Sequence, residues 1–171
     1  MAHTVASARR GLLVAAGACL VLGGCGFQLR QAPSFAFKSL YIGTTVESAL
    51  TRELRRSIEY SGAVEVLDAA RLPTAQAVLD VLIDRREKVV VGLNATGQVR
   101  EFQLRTRFRF KLRTPQGKEL IPETEMLQQR DISFTESAAL AKEAEETLLY
   151  RDMQTDIVQQ LMRRLAAVKT L

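Results

Sequence analysis

Histidine and cysteine, two residue types that often perform catalysis or bind metal ions, are nearly absent from this chain of 171 residues. Its only histidine is His3, and its only cysteines are Cys19 and Cys25. If residues 1–24 are a removed signal peptide, no histidine base and no site of several histidine or cysteine metal ligands can be built. Ser–Lys pairs and paired carboxylates are not excluded, but no nucleophile elbow or phosphate-binding glycine loop is present. We therefore predict a protein that is not an enzyme and has no metal or other non-covalent cofactor.

The first 24 residues have the features of a secretory signal. Arg9 and Arg10 are followed by GLLVAAGACLVLG (11–23), an apolar run of 13 residues. A helix that crosses a bilayer needs about 20 residues, so this run is short for a membrane span and typical of a signal-peptide core. We therefore expect residues 1–24 to be a signal peptide.

The chemistry expected at Cys25 is covalent attachment of lipid. The residues LGGC (22–25) are similar to a bacterial lipobox, a signal cleaved before its cysteine. In that class of signals the cysteine receives a thioether-linked diacylglycerol and an N-acyl chain such as palmitate, and two lipid signals already give stable membrane attachment. Gly26 follows where sorting signals for the inner membrane carry Asp, which favours the outer membrane. We expect residues 25–37 to form the acylated cysteine and a linker, and residues 38–171 to form a single domain.

The segment FQLRTRFRFKLR (102–113) alternates positive residues with mostly apolar ones. Successive side chains of a strand point to opposite faces, so its basic residues would share one face. Like charges on one face need either the chain's own carboxylates or an anionic partner opposite them. The net charge of +5 and the absence of Trp argue against a nucleic-acid partner.

Counting from the turns predicts which carboxylates lie opposite the basic residues. A turn at 115–117, with Gly117 in the left-handed conformation, would pair Thr114 with Lys118. A loop at 94–97 would pair Leu93 with Gln98. The predicted pairs of opposed residues, here called rungs, fall into two sets. Between strands 98–113 and 119–134 they are Arg113–Glu119, Arg109–Glu123 and Arg107–Glu125. Between strands 77–93 and 98–113 they are Asp84–Arg107, Asp80–Lys111 and the like-charge rung Arg86–Arg105.

The end of the hairpin near residues 94–97 keeps a surplus of positive charge in this register. Arg86 opposes Arg105, Lys88 lies on the same face, and Arg100 is close in sequence. Such a surplus suits an anion such as phosphate. A solvated tip without a ligand is the alternative interpretation.

The remaining pattern predicts the elements that hold these strands. Val46, Leu50, Leu54 and Ile58 fall on one face of a first helix. A second helix is expected from Ser137 to near Val168, its first part either continuous or a separate short helix, with a buried stripe at Met153, Ile157, Leu161, Leu165 and Val168. Apolar runs predict strands at 38–43, 64–67, 77–93, 98–113 and 119–134, with Pro122 indicating an edge or a bulge. The predicted class is α+β, an antiparallel β-sheet packed on one face by two α-helices.

Several segments, taken in order, resemble the LptE family of LPS-assembly lipoproteins. They are GCGFQLR (24–30), LTRELRRSIEYSGAVEV (50–66), GQVREFQLRTRFRF (97–110), ALAKEAE (139–145) and DIVQQLMRRL (156–165). The resemblance covers nearly the whole chain after the signal peptide.

The resemblance implies an α+β sandwich that forms a plug inside the LptD β-barrel in a 1:1 complex. The pair inserts lipopolysaccharide (LPS) into the outer leaflet, and LptE supports LptD assembly and binds LPS. A basic position implicated in the family falls on Lys142, and a second falls on Ala95, a departure that Lys88, Arg100 or Arg105 would have to compensate. As alternatives, Lys142 is an exposed lysine beside Glu145 or Glu146, and the basic face packs against the barrel rather than a ligand. A lipid-anchored periplasmic lipid-binding or scaffold module with a different partner is the alternative function.

Overall fold

The computed structural model describes residues 34–135 and 139–171. The predicted signal peptide, Cys25 and Ser137, the predicted start of the last helix, lie outside the described residues.

A five-stranded sheet in the order β2-β1-β3-β4-β5 forms the framework of the domain. The strands β3, β4 and β5 are antiparallel, as predicted, whereas β1 runs parallel to both β2 and β3. The α+β class and the two covering helices are therefore confirmed, and the sheet is mixed rather than wholly antiparallel. The elements are β1 (Ser39–Gly43), α1 (Ala49–Tyr60), β2 (Glu65–Leu67), a 3₁₀ helix (Ala69–Thr74), β3 (Ala77–Leu93), β4 (Val99–Arg113), β5 (Glu119–Ser133) and α2 (Ala139–Ala167).

Helix α1 begins after a capping box formed by Ser48 and Thr51. The backbone N–H of Thr51 donates to Ser48 Oγ at 3.0 Å, and the backbone N–H of Ser48 donates to Thr51 Oγ1 at 2.9 Å. Such a cap contributes about 1 kcal/mol to stability. Leu50, Leu54 and Ile58 are buried as predicted. The prediction for Val46 is wrong, because this residue precedes the helix and is 76% exposed.

Helix α2 is one continuous helix of 29 residues. Its buried stripe runs through Met153, Ile157, Leu161 and Leu165, at the spacing of one helical face. Val168 follows the end of the helix and is partly buried against the core.

The alternation predicted for β4 is confirmed. Its even-numbered residues from Leu104 to Leu112 are buried under the helices, and its basic residues occupy the opposite face, here called the open face. Phe108, Phe110 and Leu112 join Leu79 and Leu161 in the main core. Burial of each such side chain contributes about 1.5–3 kcal/mol.

A β-bulge at Leu82 changes the face on which the later residues of β3 lie. Val81 pairs with Phe110, but Ile83 pairs with Arg109, so one extra residue is inserted in β3. Because side chains alternate along a strand, this insertion reverses the direction of the side chains that follow it, as far as the next irregularity after Val90. The residues turned toward the helix-covered face of the sheet are Asp84, Arg86 and Lys88, opposite Phe108, Thr106 and Leu104.

The bulge overturns part of the predicted register between β3 and β4. The rungs Asp84–Arg107 and Arg86–Arg105 are wrong, whereas Asp80–Lys111, which lies before the bulge, is correct. Arg105 lies opposite Glu87, and the like-charge rung is Arg85–Arg107. At the far end of the hairpin Leu93 pairs with Val99 rather than Gln98.

The turn between β4 and β5 is the predicted one. The N–H of Thr114 donates to the Lys118 carbonyl at 2.8 Å, and Gly117 has a φ of +96°. The rung Arg113–Glu119 is correct, but irregularities between Phe110 and Arg113 shift the later rungs by two residues. The predicted charge pairs nevertheless form diagonally, with Arg109 3.1 Å from Glu123 and Arg107 2.9 Å from Glu125.

Candidate functional site

Two of the predicted site residues, Lys88 of β3 and Lys142 of α2, meet at one small pocket, here called the lysine pocket. Its volume is about 60 Å³, and its other lining residues include Phe102, Ser133, Phe134, Glu143 and Glu146. The rings of Phe102 and Phe134 pack edge to face at 5.5 Å between centroids, and Lys88 Nζ lies 4.3 Å from the centroid of Phe102. The pocket thus combines two ammonium groups with an aromatic surface.

Both lysines of this pocket are engaged with carboxylates. Lys88 Nζ is 2.6 Å from Glu146 Oε2, and Lys142 Nζ is 2.8 Å from Glu145 Oε2. Lys142 also donates to Ser133 Oγ at 3.1 Å. The alternative interpretation, in which Lys142 neighbours Glu145 or Glu146, therefore agrees with the contacts seen here. These side chains are partly exposed, and ion pairs of that kind contribute about 0–1 kcal/mol, so an incoming anion would replace the carboxylates at small cost.

Arg86 lies two residues from Lys88 but contacts a different set of side chains. Its guanidinium donates to Gln154 Oε1 at 2.7 Å and stacks over the ring of Tyr150 at 5.2 Å from the centroid. The hydroxyl of Tyr150 in turn donates to the carbonyl of Glu87 at 2.7 Å. Burial raises the pKa of the Tyr150 phenol above its ordinary value, and the charge of Glu146 adds to this effect.

The structure separates the remaining two candidates from the lysine pocket. Arg105 lies on the open face, where it faces Glu87 and donates to Gln103 Oε1 at 2.8 Å. Arg100 is exposed near the tip of the β3–β4 hairpin, where its carbonyl accepts the N–H of Phe134 at 2.8 Å. Ala95 lies in the loop at that tip and is exposed. The five candidate cations therefore do not form one cluster.

Most basic residues that β4 places on the open face have carboxylate partners within the sheet. Asp80 accepts from Arg113 at 2.7 Å and lies 4.0 Å from Lys111, and Arg107 lies between Glu125 and Glu87 at 2.9 and 3.8 Å. The hydrogen bond that Arg113 donates to Asp80 raises the pKa of the Arg113 guanidinium above its ordinary value. The alternative in which the chain's own acids balance the basic strand therefore describes most of this face.

Sequence reasoning did not find Phe102, Ser133 and Phe134 as pocket residues. Alternation in the sequence predicts Phe102 on the apolar face and Phe134 at the end of a strand, and both positions are compatible with ordinary core packing. Their position beside the two lysines depends on the bulge at Leu82 and on the path of α2. Among the described residues no group of three or more His, Cys, Asp or Glu side chains is arranged to hold a metal ion. No helix in this part of the chain has both the length and the apolar character needed to cross a membrane.

Comparison with known proteins assigns the chain to a family. Residues 32–165 match the family model LptE, described as lipopolysaccharide-assembly. The LPS-assembly lipoprotein LptE of Pectobacterium atrosepticum is 28% identical over 159 residues, covering 91% of this chain and 84% of its own length. That of Yersinia pestis (strain Pestoides F) is 30% identical over 173 residues, covering 98% and 78%.

Two solved structures support the same assignment. Lipoprotein B from Nitrosomonas europaea has a TM-score of 0.71 with 34% identity, covering 83% of this chain and 91% of its own. The rare lipoprotein B from Shewanella oneidensis has a TM-score of 0.63 with 27% identity, covering 76% and 95%. The chain therefore belongs to the LptE family of lipopolysaccharide-assembly lipoproteins, whose role in LPS transport is not enzymatic.

Proposed function

We propose that this chain is an outer-membrane lipoprotein anchored on the periplasmic side through acylated Cys25. In this proposal residues 1–24 are removed, residues 25–37 tether the domain, with Phe35 and Phe37 of this segment packed in its main core, and residues 38–171 form a plug in an LptD-like β-barrel with 1:1 stoichiometry. The chain would assist assembly of the barrel and insertion of LPS into the outer leaflet. The charged open face supports a plug, because its paired basic and acidic side chains suit a polar surrounding wall better than an apolar one.

We further propose that the chain binds LPS at the lysine pocket. The observation that carries this proposal is the convergence of Lys88 and Lys142, from elements distant in the sequence, on one pocket with aromatic walls. A phosphate group of LPS would take the places of Glu145 and Glu146 as the partner of the two ammonium groups. Hydrogen bonds from ammonium groups to phosphate are charge-assisted, as are those to the two carboxylates, and a single phosphate would bond both lysines at once.

The test is LPS binding by the full chain in detergent, with Lys142→Asp and Lys88→Asp compared with Lys169→Asp. Lys169 is an exposed lysine near the end of the chain and keeps the change in net charge identical. At low salt we expect each pocket variant to bind LPS at least tenfold more weakly and the control to bind normally. Equal affinity for LPS in all three variants would remove the lysine pocket from the proposal.

A separate experiment tests the anchor and the barrel partner. Detergent extracts of cells that express the tagged chain should yield an equimolar complex with a large β-barrel protein, and the mass of the purified chain should show acyl groups on Cys25. Recovery of the acylated chain without a barrel would favour a lipid-anchored binding or scaffold module with another partner. An intact leader in the mass spectrum would refute the anchor.

A further inference from the structure

The two edges of the sheet differ in how much unpaired backbone they leave open. One edge is β2, which has three residues, whereas the other edge is β5, which has 15 residues. Natural proteins protect sheet edges by keeping them short or by placing proline, lysine or a bulge there. In β5 such features are confined to the first part of the strand, where Pro122 and two register shifts lie. The segment from Thr124 to Ser133 pairs regularly with β4 and contains no proline, glycine or lysine.

The outer edge of β5, meaning the side away from β4, presents the backbone groups of alternate residues. The N–H of Phe134 donates to the Arg100 carbonyl at 2.8 Å, one step beyond the pair Glu101–Ser133. Bonded and non-bonded pairs alternate along antiparallel strands, so every second residue before Phe134 bonds β4 and the others turn their N–H and C=O groups outward. The outward residues are Glu125, Leu127, Gln129, Asp131 and Ser133.

The outer edge is accessible to another strand. Within residues 34–135 and 139–171, β4 is the only strand that pairs with β5. All of the outward residues are exposed. The Gln129 carbonyl accepts a hydrogen bond at 2.8 Å from the guanidinium of Arg130, a side chain that is 41% exposed. This contact shows that an outward carbonyl can take a donor from the edge, and a partly exposed side chain is easily replaced.

The side chains of the outward residues lie on the open face, where β5 is acidic. Glu123 and Glu125 contact arginines of β4, whereas the hydrogen bond to Asp131 comes from the neutral amide of Gln103 at 3.0 Å. The charged residues that β5 places on this face are Glu119, Glu123, Glu125 and Asp131, with no lysine or arginine among them.

This acidic row indicates the charge of a strand that would fit beside it. Neighbouring strands are about 4.8 Å apart, so an added strand lies next to the acids of β5 and about twice as far from the bases of β4. Opposite charges directly across a strand pair are stabilising, and like charges are destabilising. A second copy of β5 would bring the same acidic row, whereas a strand with alternate basic residues, as in β4, is complementary.

We propose that the outer edge of β5 binds an extended polypeptide segment with basic residues at alternate positions, which adds to the sheet as an antiparallel strand. Main-chain hydrogen bonds to the outward groups hold the segment, and the carboxylates of Glu125 and Asp131 select its basic side chains. A carboxylate has several acceptor sites, so Glu125 keeps Arg107 while it accepts a second base. Neither the lysine pocket nor the lipid anchor takes part, so strand addition succeeds or fails independently of the proposed function.

The first test measures binding of two fluorescent peptides to the full chain in non-ionic detergent by anisotropy. Both have the sequence LRTRFRFKLR of residues 104–113, so their charge is identical. One is methylated at the backbone nitrogens of its Thr and Phe residues, which leaves free the donors of the basic residues that would face β5. The other is methylated at the central Arg, Arg and Lys, which removes those donors. We expect saturable 1:1 binding of the first peptide and at least tenfold weaker binding of the second. Equal affinity, or no saturable binding of the first peptide, would overturn the proposal.

Two proline variants test the edge of the protein itself. Gln129→Pro removes an outward N–H, whereas Gln128→Pro removes an N–H that bonds β4. Proline is tolerated where the N–H faces away from the sheet, so Gln129→Pro should weaken binding of the first peptide at least tenfold with little change in Tm. Gln128→Pro, the matched control, should lower Tm. Unchanged peptide affinity in Gln129→Pro, or an equal fall in Tm in both variants, would contradict the assignment of the outer edge.

Amide hydrogen exchange followed by NMR distinguishes strand addition from adsorption of charge and from self-association. In the free chain the amides of Leu127, Gln129 and Asp131 should exchange fast and those of Gln128 and Arg130 slowly, and the first peptide should slow the fast ones. Unchanged exchange of the outward amides in the presence of bound peptide would refute strand addition. Protection of these amides in the chain alone that increases with its concentration would identify a second copy as the occupant and would equally overturn the proposal.

Discussion

Helix α2 packs on the sheet in two different ways along its length. In the apolar half, Leu161 and Leu165 contact a core that contains Leu79, Phe110 and Leu112. In the polar half, Glu146, Tyr150 and Gln154 meet the β3 residues Arg86 and Lys88, with only a small apolar cluster around Leu104 and Ile132. The bulge at Leu82 separates the two halves, because it turns charged residues of β3 toward the helix. One end of the interface is thus built for stability, and the other end carries the lysine pocket.

The largest expected difference between the halves is a core truncation. Leu161→Ala removes a fully buried side chain of the apolar half and should lower the free energy of unfolding by about 2–5 kcal/mol. Leu148→Ala changes the same residue type on the same helix where it is 59% exposed, and should cost less than about 0.5 kcal/mol. Urea unfolding of both variants measures the difference, and similar losses would contradict the burial of Leu161 in the apolar half.

A smaller effect is expected from Tyr150 of the polar half. Tyr150→Phe removes the hydrogen bond to the Glu87 carbonyl and should cost about 1 kcal/mol at neutral pH.

The same residue gives the polar half a dependence on alkaline pH. Burial raises the pKa of Tyr150 in the folded state, so its proton is held more tightly there than in the unfolded chain. The stabilisation is therefore complete below the unfolded pKa of about 10 and is lost as the pH rises above it through the folded value. Urea unfolding at neutral pH and above about pH 10 measures the free energy of unfolding of both proteins. Between these two pH values it should fall more for the wild type than for Tyr150→Phe. Parallel losses in the two proteins would refute the assignment.

The two halves also differ in how far the sequence predicts them. In the apolar half, regular alternation in β4 and the spacing of Leu161 and Leu165 identify the buried residues, because local periodicity and burial agree there. No glycine or proline marks the bulge at Leu82, so the segment IDRRE (83–87) has the pattern of a regular strand. The prediction that Arg86 lies on the same face as Arg105 is therefore wrong. The parallel pairing of β1 with β2 agrees with the predicted order strand–helix–strand, which the predicted antiparallel sheet did not take into account, whereas the pairing of β1 with β3 is a long-range contact.

The candidate site was predictable only in part for the same reason. The prediction for Lys142 came from resemblance, and the prediction for Lys88 came from a count of surplus charge. That both line one pocket depends on the bulge and on the register of α2, neither of which the sequence displays. The predicted register places Arg105 near Lys88, but in the structure Arg105 lies on the open face of the sheet.

The smallest expected changes in the free energy of unfolding are on the open face, because the charged pairs there are partly exposed. Arg109→Glu should cost about 0.2–1 kcal/mol, because it loses the contact with Glu123 at 3.1 Å and adds a like charge to the acidic strand β5. Adding Glu123→Arg should restore part of this loss, whereas Glu119→Arg, a matched change opposite Arg113, should show no coupling with Arg109→Glu. Urea unfolding of the single and double variants gives both coupling energies.

Coupling to Glu123 would show that the ion pair survives the irregularity in β5, which puts Glu125 directly opposite Arg109. Absence of coupling would mean that Arg109 draws no stability from Glu123, and that its charge is available to a partner on the open side.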